Sequence, residues 1–525
     1  MGSELRLAII LVWIPQAIRQ ALVWTYWWQV KEYRPDRFRI LLTSPDGRRK
    51  LQLGTVAVKL LLLLSSICVH NLFWVATAAF LILDLKFLLE IARHQARKPV
   101  FTKRGQKIFA TSLIFILLTV AGFLPLLFGE VSLLLTPYLG ILWTIPIVNK
   151  VKKEEIQKAH RKLQAVKPIV VGITGSYGKT TTKEFIAHLL SQKYEAAKTT
   201  GSENTEFGIA RKTAKYVQKD TKFFIVEMGA YKKGEIRLLT QIVNPQVGII
   251  TGIEEQHLAL FGSLENIMDA KFELISALPD EGTAIFNFSN PHCRELAQRA
   301  RKIKPRLKVL SYAVAPTPAD LTAKIVSAQV NGIDFEVTED KTATKLFAPV
   351  RGVHFIENLT GAILIARTFG VSWKQIAEGC RTLPATDRAL LPFKLKTGTI
   401  IIDDSYNTTP KGFAAALEYL NLFKEQKKVV VTPGIIELGK LSQSTHHQLG
   451  KLMANRVDRV LLTSPEFARN IQTGLGKRSA VLEVLDNPKR LTRRFSELLG
   501  ADSVILLEGR MPQSLIDMIG KHKND

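Results

Sequence analysis

Residues 169–183 read Ile-Val-Val-Gly-Ile-Thr-Gly-Ser-Tyr-Gly-Lys-Thr-Thr-Thr-Lys, and this stretch decides the fold. An apolar run typical of a buried strand enters a glycine-rich turn, after which Lys179 and Thr180 open a predicted helix. In such a turn, backbone N–H groups face phosphate oxygens and the helix N-terminus adds the positive end of its dipole. The lysine reaches the β- and γ-phosphates, and the hydroxyl that follows it binds Mg²⁺. The stretch therefore predicts a nucleotide-binding P-loop in an α/β domain.

The charge of the chain is concentrated near its apolar N-terminal part. The 525 residues include 72 Lys and Arg against 46 Asp and Glu, a net charge of +26. Residues 1–165 hold 23 of these basic residues and 9 of the acidic ones. Basic residues that flank apolar runs indicate a membrane protein with cytoplasmic positive loops. A nucleic-acid-binding protein would instead carry a basic patch on a soluble fold, so no nucleic-acid partner is expected.

The cysteines are too widely separated to indicate a disulfide or metal framework. The sequence contains only Cys68, Cys293 and Cys380, which fits a reducing compartment.

Two apolar stretches predict membrane hairpins. Residues 55–92 are nearly twice as long as the roughly 20 residues that cross a bilayer, so a turn is expected near His70 and Asn71. Residues 108–128 and 131–149 predict a second hairpin that turns at Gly129 and Glu130. Lys86 and Glu90, four residues apart near the end of the first hairpin, could form an ion pair.

Basic segments at 31–50, 93–107 and 150–153 fall on one side of the membrane if both hairpins form, as the positive-inside rule requires. Residues 5–30 contain four tryptophans and an interrupting Arg19. They predict either a spanning helix, which we favour, or a helix lying in the interface. The N-terminal region is therefore predicted to contain four or five transmembrane helices over residues 1–150, and a polar linker helix is expected at 151–167.

From residue 168 the pattern changes to short apolar runs that alternate with helical stretches, which is typical of a doubly wound α/β sheet. The runs that predict buried parallel strands are Ile169–Ile173, Phe223–Met228, Val247–Thr251 and Thr283–Asn287. Residues 324–337 predict a small antiparallel insertion with a turn at Asn331 and Gly332. A second α/β region begins near residue 385, and its predicted strands are Thr399–Asp403, Lys428–Thr432, Arg459–Thr463 and Ser503–Leu507.

Three further residues are candidates for the chemistry. Glu227 ends an apolar strand of the P-loop sheet, where a carboxylate is well placed to hold a metal ion. His257 follows the next strand; a lone histidine is more often structural, but this position favours ligation. Lys271 lies on a predicted helix and by itself would be read as a surface lysine.

These residues, taken together, resemble the Mur ligase family, most closely its MurF branch, from about Lys167 to the C-terminus. The matching blocks are Thr174–Lys183, Glu227–Ala230 with Gly234–Ile236, His257–Leu258 with Phe261–Ser263, Ala270–Lys271, Gly352–His354 with Asn358, Asp403–Asn407 with Pro410, and Glu437–Gly439. The resemblance implies a P-loop doubly wound central domain at 168–384 and a Rossmann-like C-terminal domain at 385–525, preceded by the transmembrane region.

The resemblance also implies a site and its cofactors, ATP and Mg²⁺. Catalysis would depend on Lys179, Glu227, His257 and Lys271, and Mg²⁺ would be held by Thr180, Glu227, His257 and Lys271, the last as a carbamate. The implied ATP-binding residues are Thr174, Gly175, Ser176, Tyr177, Gly178, Lys179, Thr180, Thr181, Asn358, Arg388, Asp404 and Asn407.

The function implied by the resemblance is ATP-dependent joining of a carboxylate to an amine through an acyl phosphate, in peptidoglycan precursor synthesis. The partners would be a carboxylate-bearing muropeptide and a D-amino acid or dipeptide amine, with the catalytic domains on the cytoplasmic side of the inner membrane. Alternatives are a ligase for a lipid-linked muropeptide or a poly-γ-glutamate-like polymer, an inactive membrane scaffold, and a P-loop transporter ATPase. Intact Lys179, Thr180, Glu227, His257 and Lys271 argue against the scaffold, and the C-terminal blocks argue against the transporter.

This sequence departs from the family pattern at several positions. The usual N-terminal domain that holds the UDP-sugar is not recognisable. The residues that differ from those usual in the family are Tyr231, Lys232, Thr205, Ala259, Phe355 and Gly434. These changes leave the expected ATP-binding residues in place.

Overall fold

The computed structural model describes residues 3–43, 45–68, 72–92, 98–122, 125–201, 204–255, 258–384, 391–405, 409–435, 438, 441–476 and 480–522. The chain divides into two compact units, residues 1–154 and residues 155–525. The first unit is helical and the second is α/β.

The N-terminal unit is built from helices over its described residues. They are α1 (Ser3–Val30), α2 (Pro35–Thr43), α3 (Pro45–Lys50), α4 (Leu53–Cys68), α5 (Leu72–Ala92), α6 (Lys103–Val120) and α7 (Leu126–Val166), of which α7 continues into the second unit. Three segments of the described chain are long and apolar enough to cross a membrane: Leu7–Val30, Leu72–Ala92 and Leu126–Val166. Leu53–Ser65 is a shorter apolar helix.

Large apolar side chains cover the outer faces of these helices. Leu61, Ile82 and Leu117 are each more than three-fifths exposed, whereas Trp13 and Phe80 are fully buried between helices. An exposed apolar surface of this extent is typical of a membrane-facing bundle.

The predicted second hairpin forms, but its turn is not at Gly129 and Glu130. Both residues lie inside α7, which begins at Leu126, whereas α6 ends at Val120 and residues 121 and 122 form a turn. Gly122, at a φ of 85°, supplies the left-handed conformation that commonly ends a helix. Glu130 is fully buried and pairs with Lys59 of α4 at 2.5 Å, a tertiary contact that local sequence does not show.

The charges of the first hairpin also pair differently from the prediction. Glu90 accepts two hydrogen bonds from Nη2 of Arg19 at 2.9 Å rather than pairing with Lys86. The predicted turn near His70 and Asn71 lies outside the described residues. The chain on either side of it forms two packed helices, α4 and α5, as the hairpin requires.

The second unit contains two sheets. The strands of the first are β1 (Ile169–Thr174), β2 (Ala196–Lys198), β3 (Phe223–Glu227), β4 (Val247–Ile250), β5 (Thr283–Asn287), β6 (Lys308–Val314), β7 (Leu321–Gln329), β8 (Gly332–Glu339) and β9 (Thr342–Ala348). Their order across the sheet is β2-β3-β1-β4-β5-β6-β7-β8-β9. The four predicted buried strands are present and pair in parallel.

The predicted antiparallel insertion is larger than expected and not separate from the sheet. Strands β7, β8 and β9 form an antiparallel meander that continues the parallel sheet beyond β6. The first turn of the meander lies at Val330 and Asn331, so Gly332 already belongs to β8.

The second sheet is formed by β10 (Leu391–Lys394), β11 (Ile400–Asp404), β12 (Lys427–Thr432), β13 (Arg459–Leu462), β14 (Val481–Val484) and β15 (Ser503–Glu508). Its order is β10-β11-β15-β12-β13-β14, and only β10 runs antiparallel to its neighbour. The four predicted strands are present, whereas β10 and β14 were not predicted.

Helices cover both faces of the two sheets and enclose their apolar cores. Those of the first sheet are α8 (Lys179–Leu190), α9 (Glu206–Tyr216), α10 (Glu235–Val243), α11 (Leu258–Phe261), α12 (Leu264–Ser276), α13 (Pro291–Ile303), α14 (His354–Thr368) and α15 (Trp373–Arg381). Those of the second are α16 (Pro410–Leu420), α17 (Ser442–Met453), α18 (Ala468–Leu475), α19 (Pro488–Ser496) and α20 (Gln513–His522).

Candidate functional site

The glycine-rich loop connects the carboxyl end of β1 to the N-terminus of α8. Gly175 and Gly178 have φ values of 156° and 76°. A Cβ atom at Gly175 would overlap the Thr251 hydroxyl, and one at Gly178 would overlap the Asn358 side chain. The loop is therefore packed from behind and curls with its backbone around the start of α8, the geometry of a phosphate cradle.

Lys179 and Thr180 occupy the first turn of α8, where Lys179 contacts the loop itself and Thr180 contacts Glu227 of β3. The Lys179 ammonium donates to the carbonyl oxygens of Gly175 and Ser176 at 2.8 and 3.3 Å. Burial lowers the pKa of Lys179, and the charge of Glu227 opposes that shift. The Thr180 hydroxyl donates to Oε2 of Glu227 at 2.9 Å. A hydroxyl and a carboxylate thus meet at the mouth of the phosphate cradle.

Glu227 lies at the carboxyl end of β3, beside β1 in the sheet, with Ile173 as its register partner. Its side chain is almost completely buried. A second cation, which the sequence reasoning missed, reaches it: the fully buried Lys183 ammonium lies 3.6 Å from the Glu227 carboxylate. The signal was present in the sequence, because Lys183 is four residues after Lys179 and therefore on the same face of α8.

Lys271 is buried on α12 rather than exposed at the surface. Burial, and secondly the charge of Lys179, lower the pKa of Lys271 to about 7, while Glu235 and Glu273 oppose the shift. Its ammonium also lies 5.8 Å from the centre of the Phe261 ring. A buried lysine that is partly neutral near pH 7 has the character that carbamate formation requires.

Asn358 connects α14 to the back of the cradle. It is 6% exposed and accepts a hydrogen bond from the Thr182 hydroxyl at 3.3 Å. Its side chain also packs against Gly178. The structure therefore brings Asn358 to the predicted nucleotide-binding residues of the P-loop.

Backbone groups that follow the ends of β3 and β4 hold the remaining P-loop residues in place. Ser176 exchanges hydrogen bonds of 3.0 Å with the backbone of Glu254, and Thr174 donates to the Met228 carbonyl at 2.9 Å. The Tyr177 ring packs over Gly252, and burial raises the pKa of Tyr177. Thr181 follows Thr180 in the first turn of α8.

A lysine from the C-terminal half also reaches the loop, and the sequence analysis did not predict it. Lys411, in the first turn of α16, pairs with Glu254 at 2.5 Å and lies 5.0 Å from the centre of the Tyr177 ring. The two α/β halves of the second unit are thus in contact at the P-loop.

Asp404 ends β11 in register with Glu508, which ends β15. Burial raises the pKa of Asp404 to about 6; the neighbouring charge of Asp403 acts in the same direction, and a hydrogen bond with Glu508 opposes it. No contact between Asp404 and the P-loop is seen in the described part of the chain, so its predicted role at the nucleotide stays a prediction.

Three predicted site residues, His257, Arg388 and Asn407, lie outside the described residues. Within the described ranges, no group of three or more His, Cys, Asp or Glu side chains could hold a metal ion. Thr180 and Glu227 nevertheless provide neighbouring oxygen atoms, which are the ligands that Mg²⁺ prefers. The phosphates of a nucleoside triphosphate would likewise fit the cradle, the α8 N-terminus and Lys179.

A glycine-rich loop between a central parallel strand and a helix, at the carboxyl edge of the sheet, defines the class of P-loop α/β proteins. Family comparison matches residues 173–366 to the Mur ligase middle domain and residues 393–511 to the Mur ligase glutamate ligase domain. The UDP-N-acetylmuramoyl-tripeptide–D-alanyl-D-alanine ligase of Escherichia coli (strain K12) is 30% identical over 319 residues, which are 60% of this chain and 69% of the relative. The chain belongs to the Mur ligase family.

The ligase of the same name from Bacillus subtilis (strain 168) is 32% identical over 309 residues, 58% of this chain and 65% of that protein. The chain thus spans slightly less than two thirds of this relative's length. Residues before 173 lie outside both matched family domains.

Solved structures support the same family assignment. MurF from Acinetobacter baumannii superposes with a TM-score of 0.61 at 25% identity, covering 70% of this chain and 80% of that one. MurF ligase from Thermotoga maritima, solved in complex with ADP, superposes with a TM-score of 0.59 at 25% identity, covering 71% and 84%. The predicted fold class and family resemblance are confirmed.

Proposed function

We propose that this protein is a membrane-anchored, ATP-dependent carboxylate–amine ligase of MurF type. The observation that carries the proposal is the cradle at the start of α8, where Lys179, Thr180 and Glu227 meet. Its support is the similarity of both α/β domains to ligases that join D-alanyl-D-alanine to a UDP-linked muramoyl tripeptide, as their names state.

The reaction needs a carboxylate to become electrophilic before an amine can attack it. A carboxylate oxygen of the acceptor takes the γ-phosphoryl group of ATP, which gives an acyl phosphate and ADP. The amine nitrogen then attacks the carbonyl carbon, phosphate leaves with the electrons of the broken C–O bond, and the nitrogen loses a proton. The products are an amide, ADP and phosphate.

This chain's own residues fit that sequence of steps. The loop N–H groups, the α8 N-terminus and Lys179 would bind the phosphates and stabilise the charge that develops on transfer. Thr180 and Glu227, with His257 and a carbamylated Lys271, would hold Mg²⁺, which neutralises phosphate charge. Contact between the α/β halves near Tyr177 would help to exclude water, which hydrolyses acyl phosphates.

The apolar helices would anchor the ligase in the inner membrane, with both α/β domains in the cytoplasm. A segment of this kind favours an acceptor that is itself at the membrane, so a lipid-linked muropeptide is the second candidate for the carboxylate substrate. The two candidates share the same ATP chemistry and differ only in the carrier.

The test is ligation by the full chain purified in detergent with ATP and Mg²⁺. The UDP-linked tripeptide and its lipid-linked counterpart are offered separately, each with and without D-Ala-D-Ala, and the product is weighed by mass spectrometry. Amide formation that depends on ATP is expected with one of the two. Lys179→Ala should lower turnover on the order of 10²-fold or more, while Lys374→Ala, an exposed helical lysine, should not.

A folded protein that hydrolyses no ATP and forms no amide with any acceptor would contradict the ligase and favour a scaffold. Retention of more than about a tenth of the turnover by Lys179→Ala would contradict the role of that residue.

A further inference from the structure

Lys183 is a completely buried lysine on α8, one turn after Lys179. The phosphate cradle uses Lys179, and none of the steps proposed above involves Lys183. A buried ammonium is stable only where carboxylate or carbonyl oxygens surround it. The oxygens around Lys183 therefore indicate what its charge does.

The Lys183 ammonium lies between three oxygens from three different parts of the chain. It is 3.6 Å from Oε2 of Glu227, at the end of β3, and 3.4 Å from Oε1 of Glu184, on α8 itself. It also donates to the carbonyl of Gly201, in the loop after β2, at 3.5 Å. All three distances exceed the range of about 2.7–3.2 Å that is usual for an N–H···O hydrogen bond. The ammonium is therefore shared among the three oxygens rather than bound tightly to one.

Of the two carboxylates, Glu227 is the one that needs Lys183. Glu184 already has another cation, because its Oε2 pairs with the Lys198 ammonium. Glu227 is only 4% exposed, and a buried carboxylate without a counter-ion is strongly destabilising. The ammonium of Lys179 donates to two loop carbonyls and forms no ion pair with Glu227 in the described part of the chain. Lys183 is therefore the cation that balances the charge of Glu227.

The contacts of the Glu227 carboxylate with α8 both use the same oxygen. The Thr180 hydroxyl donates to Oε2 at 2.9 Å, and the Lys183 ammonium lies near that Oε2 as well. A divalent cation bound by Thr180 and Glu227 would therefore share this carboxylate with the ammonium. Two positive charges at one carboxylate repel each other, so Lys183 and the metal ion compete for Glu227.

We propose that Lys183 is an exchangeable counter-ion of the metal site. It balances the charge of Glu227 while no divalent cation is bound, and it withdraws when one binds. Glu184 and the Gly201 carbonyl already contact the ammonium, so it can leave Glu227 without losing all its partners. The inference rests on the proposed function in one respect, that Thr180 and Glu227 bind Mg²⁺.

Two consequences distinguish this role from that of a residue that only holds Glu227 in place. Without the Lys183 charge, the metal-free protein should be less stable, because a buried carboxylate is left unpaired. The site should at the same time bind a divalent cation more tightly, because the competing positive charge is gone. Loss of a residue that only orients the carboxylate would instead weaken cation binding, since it would loosen a ligand.

The test uses the full chain in maltoside detergent without nucleotide, and Lys183→Met as an uncharged variant of similar length. In EDTA, the melting temperature of the variant should be lower than that of the wild type by about 5 °C or more. Its affinity for Mn²⁺, measured by electron paramagnetic resonance, should be higher by about tenfold or more. Lys374→Met, at an exposed helical position, should change neither quantity. Unchanged or weaker Mn²⁺ binding by Lys183→Met would overturn the proposal.

The double variant Lys183→Met/Glu227→Gln ties both effects to this ion pair. It should recover most of the lost melting temperature, because removing both partners of a buried pair costs less than removing one, and it should lose the tighter Mn²⁺ binding. If Lys183→Met does not fold, the double variant decides: a double variant that does not fold either overturns the proposal. Ligation by the wild type is measured separately. A wild type that forms no amide, with variants that behave as expected here, would contradict the proposed function and still support the role of Lys183.

Discussion

At the scale of single residues, Lys271 links burial to chemistry. Its amine reacts with CO₂ only when it is neutral, and its pKa of about 7 makes the neutral form abundant near physiological pH. We expect a carbamate on Lys271 whose amount increases as the pH rises from about 6 to about 8. ¹³C NMR of protein equilibrated with labelled bicarbonate measures it directly.

Lys271→Arg keeps the charge but cannot form this carbamate. It should lose ligation on the order of 10²-fold or more, whereas Lys233→Arg, an exposed lysine paired with Asp269, should keep it. Near-normal ligation by Lys271→Arg, or no carbamate signal from the wild type, would contradict the assignment.

The ionisation of Asp404 should make the free energy of unfolding depend on pH. Because its pKa is raised to about 6 in the folded state, the folded carboxyl holds its proton more tightly than the unfolded one. Its stabilising contribution is therefore present below about pH 4 and is lost as the pH rises through about 6.

Asp404→Asn should accordingly raise the free energy of unfolding by about 1–2 kcal/mol at pH 8 and change it little at pH 4. Thermal melts across this pH range measure the difference, with the exposed Asp486→Asn as control. A variant that is equally stabilised at both pH values would show that deprotonation of Asp404 is not the cause.

The sequence predicted the positions of those site residues that belong to a local motif. Lys179 and Thr180 follow a glycine turn, and Glu227 ends an apolar strand, so their positions follow from the chain itself. Lys411 and Glu254 were not predicted because they meet only when α16 packs against the P-loop. Their pairing depends on the tertiary structure, which spacing along the chain does not reveal.

At the scale of elements, the packing of α6 against α7 depends on a small residue. A Cβ atom at Gly140 would lie 2.9 Å from Ile108 Cα and 3.0 Å from the Thr111 hydroxyl. Gly140→Ala should therefore push the helices apart and cost about 1–3 kcal/mol, seen as a lower melting temperature in detergent.

Gly54→Ala is the matched control, since no atom lies within 4 Å of a Cβ at that position. It should be neutral or slightly stabilising, because alanine is the better helix former. Equal destabilisation by both substitutions would mean that the close approach at Gly140 is unimportant.

Strand prediction succeeded where continuous apolar runs mark buried parallel strands, as in β1, β3 and β4. It missed five strands, β2, β6, β9, β10 and β14, of which β9 and β10 show why. Strand β9 reads Thr-Ala-Thr-Lys-Leu-Phe-Ala, with its large apolar residues, Leu346 and Phe347, only near its end, and β10 contains Pro392. These are edge strands, defined more by a neighbour's hydrogen bonds than by burial of both faces.

At the scale of the whole molecule, we expect the loops at 31–54 and 93–107 to be cytoplasmic, on the side proposed for the two α/β domains. In intact cells, an impermeant thiol reagent should not label Arg48→Cys or Arg97→Cys in a chain that lacks Cys68. It should label Gly122→Cys, which lies in the turn between α6 and α7, on the opposite side. Labelling of either arginine position before the membrane is broken would contradict this topology.

The position of β1 in the sheet has a consequence for how the chain is made. Strand β1 lies between β3 and β4, so one of its edges stays unpaired until Ile250 has been synthesised. The segment from Ile169 to Ile250 has roughly 80 residues, and its synthesis takes about 4–16 s at typical rates of 5–20 residues per second. If the preceding helices enter the bilayer as proposed, the nascent strand, with its apolar Ile-Val-Val start, is exposed close to that bilayer during this interval. Chaperones that shield unpaired strands should therefore matter more for the yield of this protein than its final stability does.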